Sequence, residues 1–482
     1  MLFQSPEFLF VFLPVALLGF LAARRWAVGL VPFWLIAASM VFYAWWSPAF
    51  LALLALSTGI NFALGLGMST GNRRKKVYLL LGLAWNLSLL GYFKYRGFFA
   101  ENWNACFGTH LPVASLILPL GISFFSFQKI AYLVDVYRGR AAERIFSRYV
   151  LFVFFFPQLI AGPIVHPGEI LPQMATAWRK DPPLDWDLVR KGLLFFLAGL
   201  VKKVLIADNL ATHVTPVFDW VQAGGTPTFL DGWCAALGYT FQLYFDFSGY
   251  SDMAIGLALL FGIRLPFNFD SPYRAHSIQE FWQRWHMTLS RFIRDYVYIP
   301  LGGSRCALPR HYVNILGAML VSGLWHGAGW HFVLWGGLHG LFLVVNEVWR
   351  RSRPEATREA LPFWTVPLTF LAVTAAWVLF RADTLAAAGA FYHGMLGGNG
   401  LGTLPHRGFP GWLLFAAALA FLAPNTQTWV ERSGTARGLP FWERWLPLPS
   451  TRLVALLLAI AAFAVLRAIY SQPPSEFIYF NF

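Results

Sequence analysis

Charged side chains are scarce in this sequence. They make up 12% of its 482 residues, whereas a soluble globular domain carries about 25%. Hydrophobic residues supply 57%, and apolar runs near the roughly 20 residues that cross a bilayer recur from end to end. This balance excludes a soluble globular domain and predicts a polytopic helical membrane protein. The predicted spans are Phe8–Ala23, Val28–Trp46, Phe50–Met68, Val77–Phe93, Leu111–Tyr132, Trp364–Phe380, Trp412–Ala423 and Leu453–Ile469.

Cysteine is nearly absent, and so are the common signatures of cofactor and nucleophile sites. The three cysteines are scattered, without the spacing of a disulfide framework, a redox motif or a zinc site. The sequence contains neither a Walker-type phosphate loop nor a G-x-S-x-G elbow. His326, His331 and His339 are not spaced to place two metal ligands on one helical face. We therefore predict no bound metal and no bound cofactor, and a serine nucleophile has no recognisable partner.

The net charge of +14 is concentrated between the apolar runs. Arg24 and Arg25 follow the first run, residues 73–76 follow the third, and several arginines within 138–148 follow the fifth. Cytoplasmic loops of membrane proteins are rich in Lys and Arg, so the charge indicates orientation in the lipid bilayer and not nucleic-acid binding. It predicts an N-terminus outside the cytoplasm.

Polar residues interrupt the apolar pattern in the middle of the chain, between about 121 and 345. Polar or irregular backbone at membrane depth persists only where protein buries it or where it lines a wet cavity. We therefore predict one membrane domain over residues 1–482. It is divided into N-terminal helices in 1–110, a cavity-forming core in 111–350 and C-terminal helices in 351–482.

One segment of this core, residues 267–305, contains the pattern of an amphipathic helix. Its apolar and aromatic positions from Trp282 to Tyr296 are spaced 3, 4, 3, 4, which places them on one helical face. Such helices commonly lie at the membrane interface with a solvated charged side. Composition alone favours such an anchoring helix, and His286 weakens that interpretation because it lies at the margin of the aromatic face and not on the solvated one.

The stretch from Leu320 to Gly340 holds three histidines and six glycines in an apolar run. Ionisable groups in such runs are costly, so function is the default hypothesis. Burial favours neutral imidazole, which suits His326 to act as a general base, although a structural hydrogen bond explains this residue equally well. Gly327 and Gly329 lack side chains, which predicts room for a substrate beside the backbone. His331 and His339 are interpreted as packing residues.

Several blocks of the sequence together resemble the membrane-bound O-acyltransferase superfamily. They are "FWQRWHMTLSRFIRDYVYIPLGGSR", "SGLWHGAGWHFVLWGGLHG", "GISFFSFQKIAYLVDVYRG", "FFPQLIAGPIV", "FDFSGYSDMAIGLALLFGIRLPFNFDSPYRA" and the terminal blocks "MLFQSPEFLFVFLPV" and "FIYFNF". The "RDYVYIPLGGSR" block and the chain length are more similar to the alginate O-acetyltransferase membrane-subunit branch than to the D-alanyl transferases of teichoic acids. The resemblance implies an all-α fold, a ring of roughly 10–12 transmembrane helices with re-entrant or interfacial helices around a central funnel.

The resemblance also implies the site. His326 occupies the position of the catalytic histidine, and His286 corresponds to a second polar residue upstream. Five further residues are predicted to bind substrate or donor or to orient His286: Arg284, Trp285, Asn268, Arg305 and Trp325.

The implied reaction is acetyl transfer across a bacterial inner membrane. Acetyl-CoA is the expected donor and is a substrate, not a bound cofactor. His326 acts as general base on an acceptor hydroxyl, while His286 positions or polarises the thioester. The expected final acceptor is an extracytoplasmic polysaccharide such as alginate, reached through an extracytoplasmic acetyltransferase-type protein partner, and the N-terminus is periplasmic. Two alternatives stay open: a transporter or channel that uses the same polar cavity, and an acyltransferase with D-alanyl or peptidoglycan chemistry.

Overall fold

All regular structure in the described part of the chain is helical. The computed structural model describes residues 1–68, 73–113, 116–178, 185–354, 362–403, 408–432, 459, 462–470 and 477–478. The chain forms two compact units. The first comprises Met1–Leu197, Tyr250–Pro266 and Ser471–Asn481, and the second comprises Ala198–Gly249, Phe267–Tyr470 and Phe482. The subdivision at residues 110 and 350 stays a prediction.

The first unit contains the N-terminal helices. Several of them begin at proline, whose fixed φ and missing N–H suit the first helical turn, and Ser47 caps the third helix by accepting a hydrogen bond from the Phe50 N–H. The helices are α1 (Leu13–Trp26), α2 (Val31–Ala44), α3 (Pro48–Gly67), α4 (Lys75–Leu90), α5 (Arg96–Phe107), α6 (Ile122–Tyr137), α7 (Phe146–Phe154), α8 (Phe156–Leu159), α9 (Pro167–Thr176) and most of α10 (Trp186–Leu200). A π-helical turn, Phe8–Phe12, leads into α1, and another, Gly91–Tyr95, joins α4 to α5.

Polar side chains connect three helices of this unit. The Asn86 amide on α4 donates to Asn61 Oδ1 on α3 over 2.7 Å. Lys129 on α6 is fully buried and donates to Ser57 Oγ on α3 over 3.0 Å. Hydrogen bonds between helices hold membrane bundles together where apolar packing alone gives little specificity.

The second unit contains the following helices: α11 (Asp208–Gln222), most of α12 (Phe229–Leu260), α13 (Ile278–Arg284), α14 (Met287–Ile293), α15 (Leu308–His326), α16 (Trp330–Ser352), α17 (Thr365–Arg381), α18 (Leu385–Met395), α19 (Phe409–Leu422) and α20 (Thr426–Arg432). It also contains π-helical turns over Val201–Ala207 and Arg294–Tyr298 and a short 3₁₀ turn over Pro272–Arg274.

Two glycines allow α15 and α16 to pack closely as a hairpin. A Cβ on Gly323 would overlap the Phe332 carbonyl oxygen, and a Cβ on Gly336 would overlap the Met319 carbonyl oxygen and lie 3.0 Å from the Gly323 Cα. Small residues at such crossings let helix backbones approach each other. This close packing fixes the end of α15, where His326 lies.

The helices are long and apolar enough for a multi-pass membrane protein, as the sequence predicts. Within the described ranges, four helical stretches can cross a bilayer by length and composition: Phe8–Trp26, Pro48–Gly67, Lys75–Phe107 and Trp330–Ser352. Val28–Ala44, Thr365–Arg381 and Phe409–Leu422 are shorter apolar helices. The predicted span Leu453–Ile469 lies largely outside the described residues.

Two predicted helices are wrong. Among its described residues, the predicted span Leu111–Tyr132 is helical only from Ile122, because Pro119 opens a turn that continues through Gly121 at φ 72°. The amphipathic helix expected around Trp282 to Tyr296 is interrupted after Arg284, where Trp285 is extended and His286 is left-handed. Apolar spacing of 3 and 4 residues continues across this break, so periodicity alone does not reveal it.

Candidate active site

His286 lies at the junction of two seven-residue helices, α13 and α14. Its φ of 42° and ψ of 53° are left-handed, a conformation that costs a non-glycine residue roughly 1–2 kcal/mol. Among the described residues, only Ser271 and His286 combine a side chain with such a positive φ. Strained backbone of this kind concentrates at functional sites. The break between the helices turns the His286 side chain inward, so that the residue is fully buried.

Asn268 determines which nitrogen of His286 carries the proton. Its Oδ1 lies 3.1 Å from His286 Nδ1 and also accepts from the Thr288 backbone N–H over 3.3 Å and from the Thr288 hydroxyl over 2.9 Å. A backbone N–H can only donate, so the Asn268 atom at this point is the oxygen. His286 Nδ1 must then be the donor. The neutral ring therefore has its lone pair on Nε2.

Burial keeps His286 neutral. The residue lies outside the candidate membrane spans, and desolvation lowers its pKa to about 3, because the low-dielectric interior disfavours the imidazolium. The Phe247 ring packs edge-on against it with centroids 4.7 Å apart. A neutral imidazole with an Nε2 lone pair can accept a proton or a hydrogen bond. It cannot donate to a thioester carbonyl, so polarisation by His286 does not fit this tautomer, whereas positioning does.

His326 is the last residue of α15 and is 2% exposed. Three aromatic rings contact its imidazole edge-on: Trp325 with centroids at 4.9 Å, Trp335 at 5.0 Å and Phe380 at 5.1 Å. The Trp325 ring also lies 6.1 Å from the ring of His286. One indole therefore contacts both histidines, although 40 positions separate them in the sequence. In water-poor surroundings of this kind, proton transfer and oriented dipoles are more effective than in water.

The glycines beside His326 do not leave open space. A Cβ on Gly327 would overlap the Phe332 ring, and a Cβ on Gly329 would lie 2.5 Å from the ring of His331. The chain's own rings occupy the room that the sequence suggested for a substrate. Gly327 and Gly329 instead let the three-residue connection between α15 and α16 close tightly around Phe332.

The structure brings some of the predicted site residues together and not others. Asn268 and Trp325 contact His286 directly. Trp285 is buried and packs against Phe269 and Trp377, each with ring centroids 5.0 Å away.

The two predicted arginines lie apart from the histidines. Arg284 forms an ion pair of 2.8 Å with Glu280 and donates to the Asp270 carbonyl. Arg305 is exposed in the turn before α15. The structure therefore assigns neither arginine to the orientation of His286, and Asn268 fills that role.

A buried charge cluster near the site was not anticipated from the sequence. Lys203 Nζ lies 2.6 Å from Asp246 and 2.9 Å from Asp208, and both Lys203 and Asp246 are almost fully buried. Asp246 immediately precedes Phe247, which packs on His286. The sequence does contain a signal for this ion pair, namely a carboxylate and a lysine in two separate apolar stretches. Such charges inside a membrane domain pair with one another.

Comparison with known proteins identifies the family of this chain. The model of the membrane-bound O-acyltransferase family matches residues 145–382, a range that includes both His286 and His326. The chain is 39% identical to the probable alginate O-acetylase AlgI of Pseudomonas putida over 511 aligned positions, which cover all of both proteins. It is 44% identical over 436 positions to the peptidoglycan O-acetyltransferase of Helicobacter pylori, covering 83% of this chain and 81% of that protein. It is 29% identical over 257 positions to the teichoic acid D-alanyltransferase of Bacillus subtilis, covering 50% and 63%. This chain is therefore an O-acyltransferase and belongs to the membrane-bound O-acyltransferase family.

Proposed function

We propose that this enzyme transfers the acetyl group of cytoplasmic acetyl-CoA for O-acetylation of an extracytoplasmic polysaccharide such as alginate. The observation that carries the proposal is the pair of buried histidines that both contact Trp325, one of them held by Asn268 through its Nδ1. Relatives named as alginate O-acetylases and as a peptidoglycan O-acetyltransferase support an extracytoplasmic carbohydrate as the acceptor.

In the proposed reaction, His326 takes the proton of the acceptor hydroxyl as its oxygen attacks the thioester carbonyl carbon. The carbon–sulfur bond then breaks, and the thiolate leaves with the proton that His326 returns. His286 accepts a hydrogen bond at Nε2 and so positions the attacking hydroxyl. Limited access of water to the buried imidazoles restricts loss of acetyl groups to hydrolysis.

The proposed setting is the bacterial inner membrane with a periplasmic N-terminus. Arg24 and Arg25 lie in the last turn of α1, and Lys75 and Lys76 begin α4. Because two further helices, α2 and α3, lie between them, both basic groups fall on the same side when each of these helices crosses the membrane. An extracytoplasmic acetyltransferase-type partner receives the acetyl group and passes it to the polysaccharide.

The test uses purified protein in liposomes with acetyl-labelled acetyl-CoA. Wild type should release CoA and transfer the label to an alginate or peptidoglycan acceptor, supplied with periplasmic extract as the source of the partner. His326→Ala should lose at least a hundredfold in rate, while the neighbouring His331→Ala should keep most of it. A transporter would leave the acetyl group on CoA, and full activity in His326→Ala would disprove the catalytic assignment. Which acceptor becomes labelled decides between the two polysaccharides.

A further inference from the structure

A third histidine lies in an aromatic cluster next to His326. This cluster, called the His339 cluster below, consists of Trp282, Trp335, His339 and Trp377. The His339 ring lies 4.9 Å from Trp335 and 5.2 Å from Trp282, and Trp335 stacks on Trp377 at 5.6 Å. The Trp335 indole also contacts His326 at 5.0 Å. One indole therefore separates His339 from the proposed base.

Trp282 fixes the protonation of His339. Its indole N–H donates to His339 Nδ1 over 3.3 Å, and both residues are buried. An indole nitrogen can only donate, so Nδ1 must be the acceptor. His339 is then a neutral imidazole with its proton on Nε2. This is the opposite tautomer to that of His286, whose Nδ1 is protonated.

The His339 cluster presents hydrogen-bond donors without acceptors. Among the described residues, no group accepts from His339 Nε2, Trp335 Nε1 or Trp377 Nε1, and all three atoms are buried. A buried donor without an acceptor costs about 1–3 kcal/mol, and native proteins leave few of them. All three groups donate, and none of the four side chains is charged. They therefore match a neutral ligand group whose oxygen accepts hydrogen bonds.

We propose that the His339 cluster binds the carbonyl oxygen of the acyl thioester through His339 Nε2–H, with Trp282 as the positioning residue that fixes the tautomer. This inference rests on the proposed function and deepens it. The carbonyl of a thioester is neutral and accepts hydrogen bonds, and its oxygen gains negative charge when a hydroxyl attacks it. His339 supplies an N–H donor at Nε2, whereas the Nδ1–H of His286 donates to Asn268. The two histidines thus have complementary roles, one accepting and one donating.

Binding measurements test this directly, because they do not require turnover. The probe is acetonyl-CoA, a ketone analogue that keeps the carbonyl but has no scissile thioester, and its affinity is followed by tryptophan fluorescence. His339→Phe keeps the ring and removes the donor, so it should weaken acetonyl-CoA binding at least tenfold. Its affinity for free CoA, which lacks the carbonyl, should stay within twofold. His339→Gln retains an acceptor for Trp282 and an N–H donor, and it should recover most of the affinity.

Turnover measurements distinguish the carbonyl from the acceptor hydroxyl, which also accepts hydrogen bonds. If His339 binds the carbonyl, His339→Phe slows both acetyl transfer and the slow hydrolysis of acetyl-CoA in the absence of an acceptor. If transfer alone is lost while acetonyl-CoA binds normally, the oxygen belongs to the hydroxyl and the proposal is overturned. Equal loss in His339→Phe and His339→Gln together with a lowered melting temperature also overturns it, because that pattern indicates packing.

Trp282→Phe tests the positioning role separately. It removes the indole N–H and keeps an aromatic ring, so His339 is no longer held in one tautomer. In protein labelled with ¹⁵N-histidine, the signal missing from His339→Phe belongs to His339, and its nitrogen shifts should indicate Nε2–H in wild type and a mixture in Trp282→Phe. Unchanged shifts would refute the role of Trp282.

The proposed function and this inference can fail independently. If wild type and His326→Ala both leave acetyl-CoA intact, the proposed function fails. The affinity of acetonyl-CoA relative to CoA in His339→Phe still decides whether the His339 cluster recognises a carbonyl.

Discussion

Asn268 offers a way to move the pKa of His286 without changing the shape of the site. In Asn268→Asp, a carboxylate replaces the amide with almost the same volume, and its oxygens can still accept from His286 Nδ1 and from both Thr288 donors. The substitution adds a negative charge about 3 Å from the imidazole, a distance at which an opposite charge raises a histidine pKa by about 1–3 units.

The direction of the change in the pH profile follows because neutral His286 is the functional form in the proposed reaction. Burial lowers the pKa of His286 to about 3, so wild type keeps its Nε2 lone pair at neutral pH and loses it only as pH falls through that value. In Asn268→Asp, protonation of His286 Nε2 begins at higher pH. The acid limb of the rate profile should therefore move upward by about 1–3 pH units, while the rate near pH 8 stays within a few-fold of wild type.

The assay is CoA release from acetyl-CoA by purified protein in liposomes between pH 4 and 8. Asn268→Leu is the matched control, because it is similar in size and removes the acceptor without adding charge. It should lower the rate at every pH, since three buried donors lose their shared acceptor. If the profile of Asn268→Asp coincides with that of wild type, the neutral His286 tautomer is not part of the mechanism.

Three further substitutions test the structure around the site. Lys203→Met should lower the free energy of unfolding in detergent by about 3–5 kcal/mol, because it removes the buried ammonium beside Asp246. The double variant Lys203→Met, Asp246→Leu should recover part of this lost stability. A loss equal to the sum of the two single variants would contradict the pairing. His286→Gly should be more stable than His286→Ala by about 1–2 kcal/mol because the backbone is left-handed, while both lack activity; the reverse order would show that the strain is absent. Gly336→Ala should lower stability by at least 1–3 kcal/mol and reduce activity, since the new Cβ meets backbone atoms of α15. Its neighbour Gly337→Ala meets a side-chain atom at 3.5 Å and should be neutral or slightly stabilising, so equal effects would refute the helix-contact argument.

The sequence predicted the class of fold, and the structure places His286 and His326 against the same indole, that of Trp325. Apolar length and the scarcity of charge are properties of whole segments, so a prediction based on them does not depend on the exact residue at which each helix begins or ends. Asn268 and Trp325, both predicted as substrate-binding or orienting residues, lie in contact with His286. Both residues lie in sequence blocks that resemble the membrane-bound O-acyltransferase superfamily, and a single sequence contains that signal.

Features that depend on chain reversal or on pairing between distant segments were not predictable. The 3, 4, 3, 4 spacing continues through the break at Trp285 and His286, because a short interruption need not change which residues are apolar. The sequence predicts open space beside Gly327, because nothing in it indicates that the Phe332 ring turns back over this glycine. The hydrogen bond from the Trp282 indole to His339 joins residues 57 positions apart, and nothing in the sequence indicates this pairing.

The aromatic surroundings of His326 have a consequence for how the enzyme is made. The hairpin of α15 and α16 is local in sequence and can form early during membrane insertion. Phe380, which completes the contacts of His326, enters the membrane only with α17. A nascent chain that still lacks α17 therefore carries both histidines but lacks the contact between Phe380 and His326. We expect such a chain to become active only after α17 has been inserted.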